Sequence, residues 1–305
     1  MSPYSNRMLS QIIQQAKDLG FIKVGFTRPS PPLYFEAFRS WISGKKNAGM
    51  SWLARHTHLR EDPSFLLPGC HAIICLAYPY PKSKPSTPDG FTVSRYSQPD
   101  KEDYHLYIKE LCKKLIRLID HLYPGNKARI CVDSAPLLER SYAVSSGIGF
   151  IGKNTMLIIP GYGSFFYLAE ILTTAHLDPS SEEVMNSQCG LCHACMDSCP
   201  SGALEQPFIL NASKCLSYKT IEDKIPLNLH DGQKMGDCFF GCDRCQEVCP
   251  FNDGKDLRRY IMPLINEFLQ MDQYEFNKKF GETALARAGF EKLRSNISAM
   301  LRQRH

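Results

Sequence analysis

Apolar residues spaced three and four apart place helices over 5–19, about 33–43 and 104–122. In the first of these, Met8, Ile12, Ile13, Ala16 and Leu19 share a face, and Gly20 caps the end. Short runs between the helices read as strands over 21–26, 72–78 and 128–133. The run 72–78 is apolar throughout, the mark of a strand buried on both faces. A helix over 136–146 leads to a glycine turn at 147–154, and then 155–159 and 165–173 read as a strand pair around Pro160-Gly161-Tyr162-Gly163. The proline-rich stretch 79–90 reads as an exposed loop, and 257–271 and 284–303 as helices. Strands alternating with helices over 1–178 describe a layered α/β domain. A second domain of different composition covers 179–255, and a basic helical segment covers 256–305.

With 305 residues, 43% hydrophobic and 22% charged, the chain has ample core for one large and one smaller soluble domain. No apolar run reaches membrane-spanning length, and Met1-Ser2-Pro3-Tyr4 shows neither a signal-peptide core nor twin arginines, so a cytoplasmic protein is expected. The net charge of +5 is explained by a solvated surface as well as by a nucleic-acid partner. Its distribution is uneven, however: Lys278, Lys279, Arg287, Lys292, Arg294, Arg302 and Arg304 crowd the C-terminal end.

Cysteine spacing changes the picture most. Of 13 cysteines, nine lie between 189 and 249, while Cys70, Cys75, Cys112 and Cys131 sit in apolar contexts as buried thiols. Cys189-x2-Cys192-x2-Cys195-x3-Cys199-Pro200 is the run with which bacterial ferredoxins hold [4Fe–4S] clusters, and Cys242-x2-Cys245-x3-Cys249-Pro250 answers it. Because the fourth cysteine of such a run ligates the other cluster, Cys189, Cys192, Cys195 and Cys249 are expected on one cluster. Cys199, Cys242 and Cys245 are expected on the second, with Cys215 or Cys238 completing it. Zinc knuckles are the competing use of paired CxxC motifs, but zinc has no need of the x3-C-P ending. Two low-potential clusters make an electron conduit and leave the reduced substrate open.

Asp133 ends a strand, at the rim where α/β folds place ligands, and is the favoured catalytic carboxylate. Its competing role is an N-cap for the helix entered at Pro136. Gly147, Gly149 and Gly152 form G-x-G-x-x-G after a helix instead of a strand, which rules out the dinucleotide-binding context and suggests close approach to a large flat cofactor. Arg55, His56, Arg95, Tyr96 and His105 are polar residues in loops between buried elements, each readable singly as surface.

Taken in order, Val132-Asp133-Ser134-Ala135-Pro136-Leu137-Leu138-Glu139-Arg140, Gly149-Phe150-Ile151-Gly152-Lys153-Asn154-Thr155, Ser94-Arg95-Tyr96, Gly163-Ser164-Phe165, Cys215-Leu216-Ser217-Tyr218 and the two cysteine runs resemble the epoxyqueuosine reductase family over about 5–300. The resemblance implies an N-terminal cobalamin-binding domain of nitroreductase-like α/β (α+β) type, a ferredoxin-like double [4Fe–4S] domain and a short helical C-terminus. It implies reduction of the epoxide of epoxyqueuosine at the wobble position of tRNA, with Asp133 as proton donor and Cys215 as the missing ligand of the second cluster. Cobalamin is implied against Arg55, His56, Tyr96, Asp133, Lys153, Ser164, Ser217, Cys242 and Asp243. The implied partners are tRNA and a low-potential donor such as flavodoxin or ferredoxin, for a monomer without membrane contact. Three features depart from the family, one being Thr283-Ala284 where members carry threonine-proline in the C-terminal helical region. Cys238 stands where many members carry arginine, and the chain stops before the helical-repeat extension of longer members, which leaves the anticodon arm to the cluster domain and the basic helices. A reductive dehalogenase shares the cofactor layout but would carry an export signal and a tyrosine donor. A plain ferredoxin-type carrier would need no α/β domain.

Overall fold

A computed structural model describes residues 3–177, 183–254 and 260–302, so the expected domain boundaries near 178 and 255, the start of the 257–271 helix and Arg304 lie outside the described residues. The chain runs α1 (Pro3–Asp18), β1 (Lys23–Thr27), α2 (Phe35–Ser43), the short α3 (Trp52–Arg55) and α4 (Thr57–Glu61), β2 (Ala72–Pro79) and β3 (Thr92–Val93). It continues through α5 (Tyr104–Leu122), β4 (Ala128–Cys131), α6 (Glu139–Ser145), β5 (Phe150–Ile151), β6 (Leu157–Ile158) and β7 (Phe166–Thr173). Four strands form one sheet in the order β1-β2-β7-β4, every pair antiparallel. Both central strands are buried on both faces. On one face Ile74, Leu76, Ala169 and Ile171 pack against Ile12 and Ala16 of α1 and Ile108, Leu115 and Ile119 of α5. On the other, Ile73, Cys75 and Leu172 pack against Tyr142, Ala143 and Val144 of α6. Helices on both sheet faces are thus compatible with an antiparallel sheet, which the alternation of elements alone does not fix.

Three expectations are corrected. Residues 155–159 do not pair with 165–173: Leu157–Ile158 pairs with Phe150–Ile151, leaving β7 free to sit between β2 and β4. The glycines of the 147–152 turn approach the chain's own hairpin, since a Cβ on Gly149 would fall 2.2 Å from the Ile158 carbonyl oxygen. The stretch 79–90 is largely covered, with Tyr80 and Thr87 buried, because Ser86 bonds the backbone of Tyr260 and Met262.

The cysteine-rich chain holds α7 (Ala194–Asp197), β8 (Leu204–Gln206), β9 (Ile209–Leu210), α8 (Leu216–Ile221), α9 (Leu229–Met235), β10 (Cys238–Phe240) and α10 (Arg244–Glu247). After it come α11 (Ile265–Gln270), α12 (Gln273–Phe280) and α13 (Phe290–Leu301). One core joins these parts: Phe91 and Val93 pack with Phe239, Phe240, Phe268, Phe276, Phe280 and Ile297, and β10 pairs in parallel with β3. Asn296, 0% exposed, donates from its amide to the Thr220 and Phe239 carbonyls and so fixes α13 against the cluster-bearing segment.

Candidate functional site

The two cysteine runs fold alike. In each, a short helix carries the second cysteine of a CxxC, Cys195 and Cys245, closed by Met196 N–H to His193 O at 2.9 Å in one and Gln246 N–H to Asp243 O at 2.8 Å in the other. Cys189, Cys192, Cys195 and Cys249 line one pocket of about 270 Å³, together with Lys153, Asn154 and Phe251. Cys199, Cys215, Cys242 and Cys245 form a second neighbourhood. Burial and then the nearby Cys242, Cys215 and Cys199 push the Cys245 thiol well above its usual range. Cys199 is the exception: burial raises it, yet the amides of Leu204 and Ala203 outweigh that and leave it lowered. Cys238, by contrast, is buried in β10 with its thiol turned to the carbonyls of Phe240 and Gly241.

Asp133 follows β4 directly and has φ +52°, a left-handed conformation that aspartate tolerates at a cost of roughly 1–3 kcal/mol. The competing capping role is not realised, since α6 begins at Glu139 with Leu138 at its N-cap position. The Asp133 carboxylate is 65% exposed yet set deep, with Tyr104, His105, Glu139 and Arg140 around it. Burial would raise its pKa, but hydrogen bonding and charge from His105, with Tyr104 and Arg140, hold it below the usual carboxylate range. His105 Nε2 lies 3.3 Å from Asp133 Oδ2 while Nδ1 lies 2.5 Å from Asp103 Oδ1. Burial lowers the His105 pKa, but the two carboxylates win and lift it from 6.5 to about 9. His105 is the residue that sequence reasoning passed over as surface. The available signal was Asp103, whose side chain caps α5 through the His105 N–H at 2.8 Å.

The aromatic wall is continuous: the Tyr104 ring stacks on Tyr167 with centroids 4.3 Å apart, and Tyr96 meets Tyr104 edge-on at 6.2 Å. Arg287, paired with Glu222 at 2.9 Å, lies over the Trp52 ring and contributes to the same electrostatic neighbourhood as Asp133 and Tyr96. Arg55 and His56 are exposed at the end of α3. Tyr218 beside Ser217 reaches the same loop, its hydroxyl accepting the Gly49 N–H at 2.9 Å.

Three further residues expected against the cofactor also bond within the chain. Lys153 Nζ donates to the carbonyls of Gly190 at 2.7 Å and Cys192 at 3.0 Å, so it belongs to the first cysteine pocket. Ser164 is buried, its hydroxyl donating to Gln246 and accepting from Asn252. Gly163 beside it has φ +97°, and a Cβ there would collide with Asn252 Oδ1 at 2.0 Å, so this junction needs glycine. Asp243 is buried and accepts from the backbone N–H and Nη1 of Arg95, which also bonds Glu247 at 2.7 Å. The adjoining Cys242 faces the second cysteine group. Ser164 and Asp243 therefore act as struts between the α/β domain and the cysteine loops, because their polar atoms are already paired.

The His105 shift has a measurable sign. Its native pKa exceeds the unfolded value, so its stabilisation is complete below pH 6.5 and is lost as the pH rises through about 9. Thermal stability is expected to fall across that window, and His105→Gln to flatten that part of the curve. An unchanged curve in the variant would show that the imidazole gains nothing from the two carboxylates.

Comparison with known proteins bears on these residues. The family described as "Epoxyqueuosine reductase QueG, DUF1730" matches residues 60–134, and the "4Fe-4S double cluster binding domain" matches 188–252. The chain is 32% identical to an epoxyqueuosine reductase of Cellulophaga algicola over 296 residues, covering 93% of this chain and 94% of the relative. It is 34% identical to that of Vibrio cholerae over 306 residues, 95% and 82% of the two chains. The epoxyqueuosine reductase structure from Streptococcus thermophilus superposes with a TM-score of 0.87 at 30% identity, covering 96% of this chain and 80% of that one. A reductase with an epoxyqueuosine-modified tRNA stem loop superposes at 0.83 with 29% identity, covering 97% and 81%. A Bacillus subtilis structure, TM-score 0.85 at 30% identity over 97% of this chain and 82% of that one, is described as having an aspartate catalytic loop swung out of its active site.

Proposed function

The chain belongs to the epoxyqueuosine reductase family, and on that premise we propose that it reduces the epoxide of epoxyqueuosine in tRNA to queuosine, with Asp133 as the proton donor. Converting the epoxide to an alkene takes two electrons and two protons and releases the oxygen as water. The observation that carries the role of Asp133 is its position: an exposed carboxylate with the His105 imidazole 3.3 Å from it. The named aspartate loop of the Bacillus subtilis relative supports the same reading.

The cysteine groupings support two [4Fe–4S] clusters, one on Cys189, Cys192, Cys195 and Cys249, the other on Cys199, Cys215, Cys242 and Cys245. Backbone N–H groups point at two of these sulfurs, Lys153 N to Cys189 Sγ at 3.5 Å and Ala203 N to Cys199 Sγ at 3.3 Å, and such donors raise cluster potentials. The residues that would hold cobalamin are Arg55, His56, Tyr96, Asp133 and Ser217; Tyr96 lies edge-on to Tyr104 beside Asp133, and Tyr218, next to Ser217, bonds the Gly49 loop that leads to Arg55 and His56. Cobalamin held by these residues would supply a strongly nucleophilic, low-potential cobalt centre.

The chain's own contribution is the proton. Asp133 rests ionised because His105 and Arg140 hold its pKa down. The proton therefore sits on His105, whose raised pKa keeps it charged at neutral pH. Cofactor and substrate bound over Asp133 would exclude water and disfavour its charge, which moves the shared proton onto the carboxyl beside the departing oxygen. Basic side chains on α12 and α13, Lys278, Lys279, Lys292, Arg294 and Arg302, are the proposed phosphate contacts, and tRNA binding should weaken steeply with salt. A low-potential flavodoxin or ferredoxin is the proposed donor to a monomeric enzyme. No helix among the described residues is long and apolar enough to cross a membrane.

The test is anaerobic purification, reconstitution with iron, sulfide and cobalamin, and mass spectrometry of nucleosides after incubation with epoxyqueuosine-tRNA and a low-potential reductant. Queuosine is expected only when cobalamin is present. Persistence of the epoxide with both clusters and cobalamin bound would remove the substrate assignment.

A further inference from the structure

Four charged side chains border the loop that carries Cys242 and Cys245. Asp243 stands between those two cysteines in sequence and is 4% exposed. Its Oδ2 accepts the Arg95 N–H at 2.8 Å and Arg95 Nη1 at 3.2 Å. The same Nη1 donates to Glu247 Oε1 at 2.7 Å, and that oxygen also pairs with Lys84 Nζ at 2.8 Å. The charges therefore alternate along one row, Asp243, Arg95, Glu247 and Lys84. Their side chains are 5–22% exposed, so solvent screens them little. The neighbouring Arg244–Asp237 pair differs: it is 3.8 Å apart, with side chains 46% and 38% exposed, and adds little to the local field.

Arg95 is the hub of this row and is held from three further directions. Its Nε donates to the Lys82 carbonyl at 2.5 Å, and its guanidinium lies 5.0 Å from the centre of the Phe165 ring. With Glu247 and Cys249 it also lines a cavity of about 390 Å³. The row thus starts next to Cys242, a ligand expected on the second cluster, and reaches the surroundings of Cys249, expected on the first. A tie between loops needs only paired polar atoms, and neutral amides could supply them. Charges add a field. Reduction of a [4Fe–4S] cluster adds one negative charge, so a buried carboxylate beside it opposes the electron and a cation beside it favours the electron.

We propose that Arg95 is a potential-setting residue for the cluster on the Cys242–Cys245 loop: its fixed charge offsets those of Asp243 and Glu247, which lets that cluster take an electron from a low-potential donor. The inference rests on the two-cluster reading and is independent of the tRNA substrate. Arg95 touches neither substrate nor reacting atoms, and its effect runs through the field at the cluster. Lys84 supports it from the far end by sharing Glu247.

Redox titration of the reconstituted protein, followed by electron paramagnetic resonance, tests this without tRNA or cobalamin. Arg95→Gln leaves two carboxylates without their shared cation. At a fixed potential, the reduced-to-oxidised ratio of one cluster is expected to fall at least fivefold, a midpoint shift of roughly 40 mV to the negative side. Asp243→Asn removes an opposing charge at constant size, and the same cluster is expected to shift to the positive side. Arg95→Lys keeps the charge without the fork and is expected to hold the ratio within twofold of wild type. A residue that only ties loops together would lower the thermal midpoint in these variants and leave the potentials alone. An unchanged midpoint in Arg95→Gln, or shifts of one sign in Arg95→Gln and Asp243→Asn, would overturn the proposal. If Arg95→Gln loses iron, Lys84→Gln reads the same row from its other end: a smaller negative shift is expected, and no shift would overturn the proposal. Clusters that fail to assemble in the wild type show as missing iron and remove the two-cluster reading itself, an outcome distinct from unshifted midpoints.

Discussion

Asp133→Asn is expected to reduce epoxide turnover by roughly 10²–10⁴-fold, the range a positioned acid contributes, while iron content, cobalamin binding and the thermal midpoint stay close to wild type. The amide keeps the size of the side chain, and the carboxylate it replaces is 65% exposed, so no core contact is lost. The Glu139 bond goes to the backbone N–H and survives the substitution. What disappears is a group that can accept the His105 proton and pass it on. The variant also loses the charge that helps lift His105 to about 9, so the imidazole should titrate nearer its ordinary range. Nucleoside mass spectrometry under saturating reductant gives the rate, and the cobalamin spectrum gives occupancy. Full turnover in the variant would move the proton donor elsewhere, with His105 the first candidate.

Cys215→Ala is expected to cost one whole cluster, leaving about half of the wild-type iron, and to end turnover because electrons no longer cross. Cys238→Ala is the control. Its thiol is 5% exposed, pushed up to about 12 by burial, and turned to the Phe240 and Gly241 carbonyls, so its loss should leave a small cavity worth roughly 1 kcal/mol and both clusters intact. Iron and sulfide analysis with electron paramagnetic resonance of the reduced proteins separates the two. If Cys238→Ala loses the iron and Cys215→Ala keeps it, the second cluster has the other ligand. The two candidates differ in mobility as well as position. Cys215 sits at the junction of a 3₁₀ turn and α8, where its sulfur can turn towards iron, whereas Cys238 is pinned in a strand paired with β3.

How far the sequence could be read follows from the range of the forces involved. The long α5 was legible to the residue because its apolar stripe is local, and the cysteine runs because cluster geometry imposes fixed short spacings. α12 was missed although its start is marked by the reciprocal pair Asp272 and Glu275, since only Phe276 and Phe280 are buried along it. The partner of 155–159 could not be read at all, because register is decided by which strand β7 leaves available. Lys153, Ser164 and Asp243 were legible as important and illegible in placement: a motif shows that a polar residue is wanted, and only the fold shows that its bonds go to the Gly190 carbonyl, to Gln246 or to Arg95.

The core around the β3–β10 pairing draws on Phe91 and Val93, on Phe239 and Phe240, and on Phe290, Leu293 and Ile297 of α13. Contacts so distant in sequence cannot form until α13 has left the ribosome. The cysteine loops between them therefore lie uncovered through much of synthesis, with their thiols open to iron delivery and equally to oxidants.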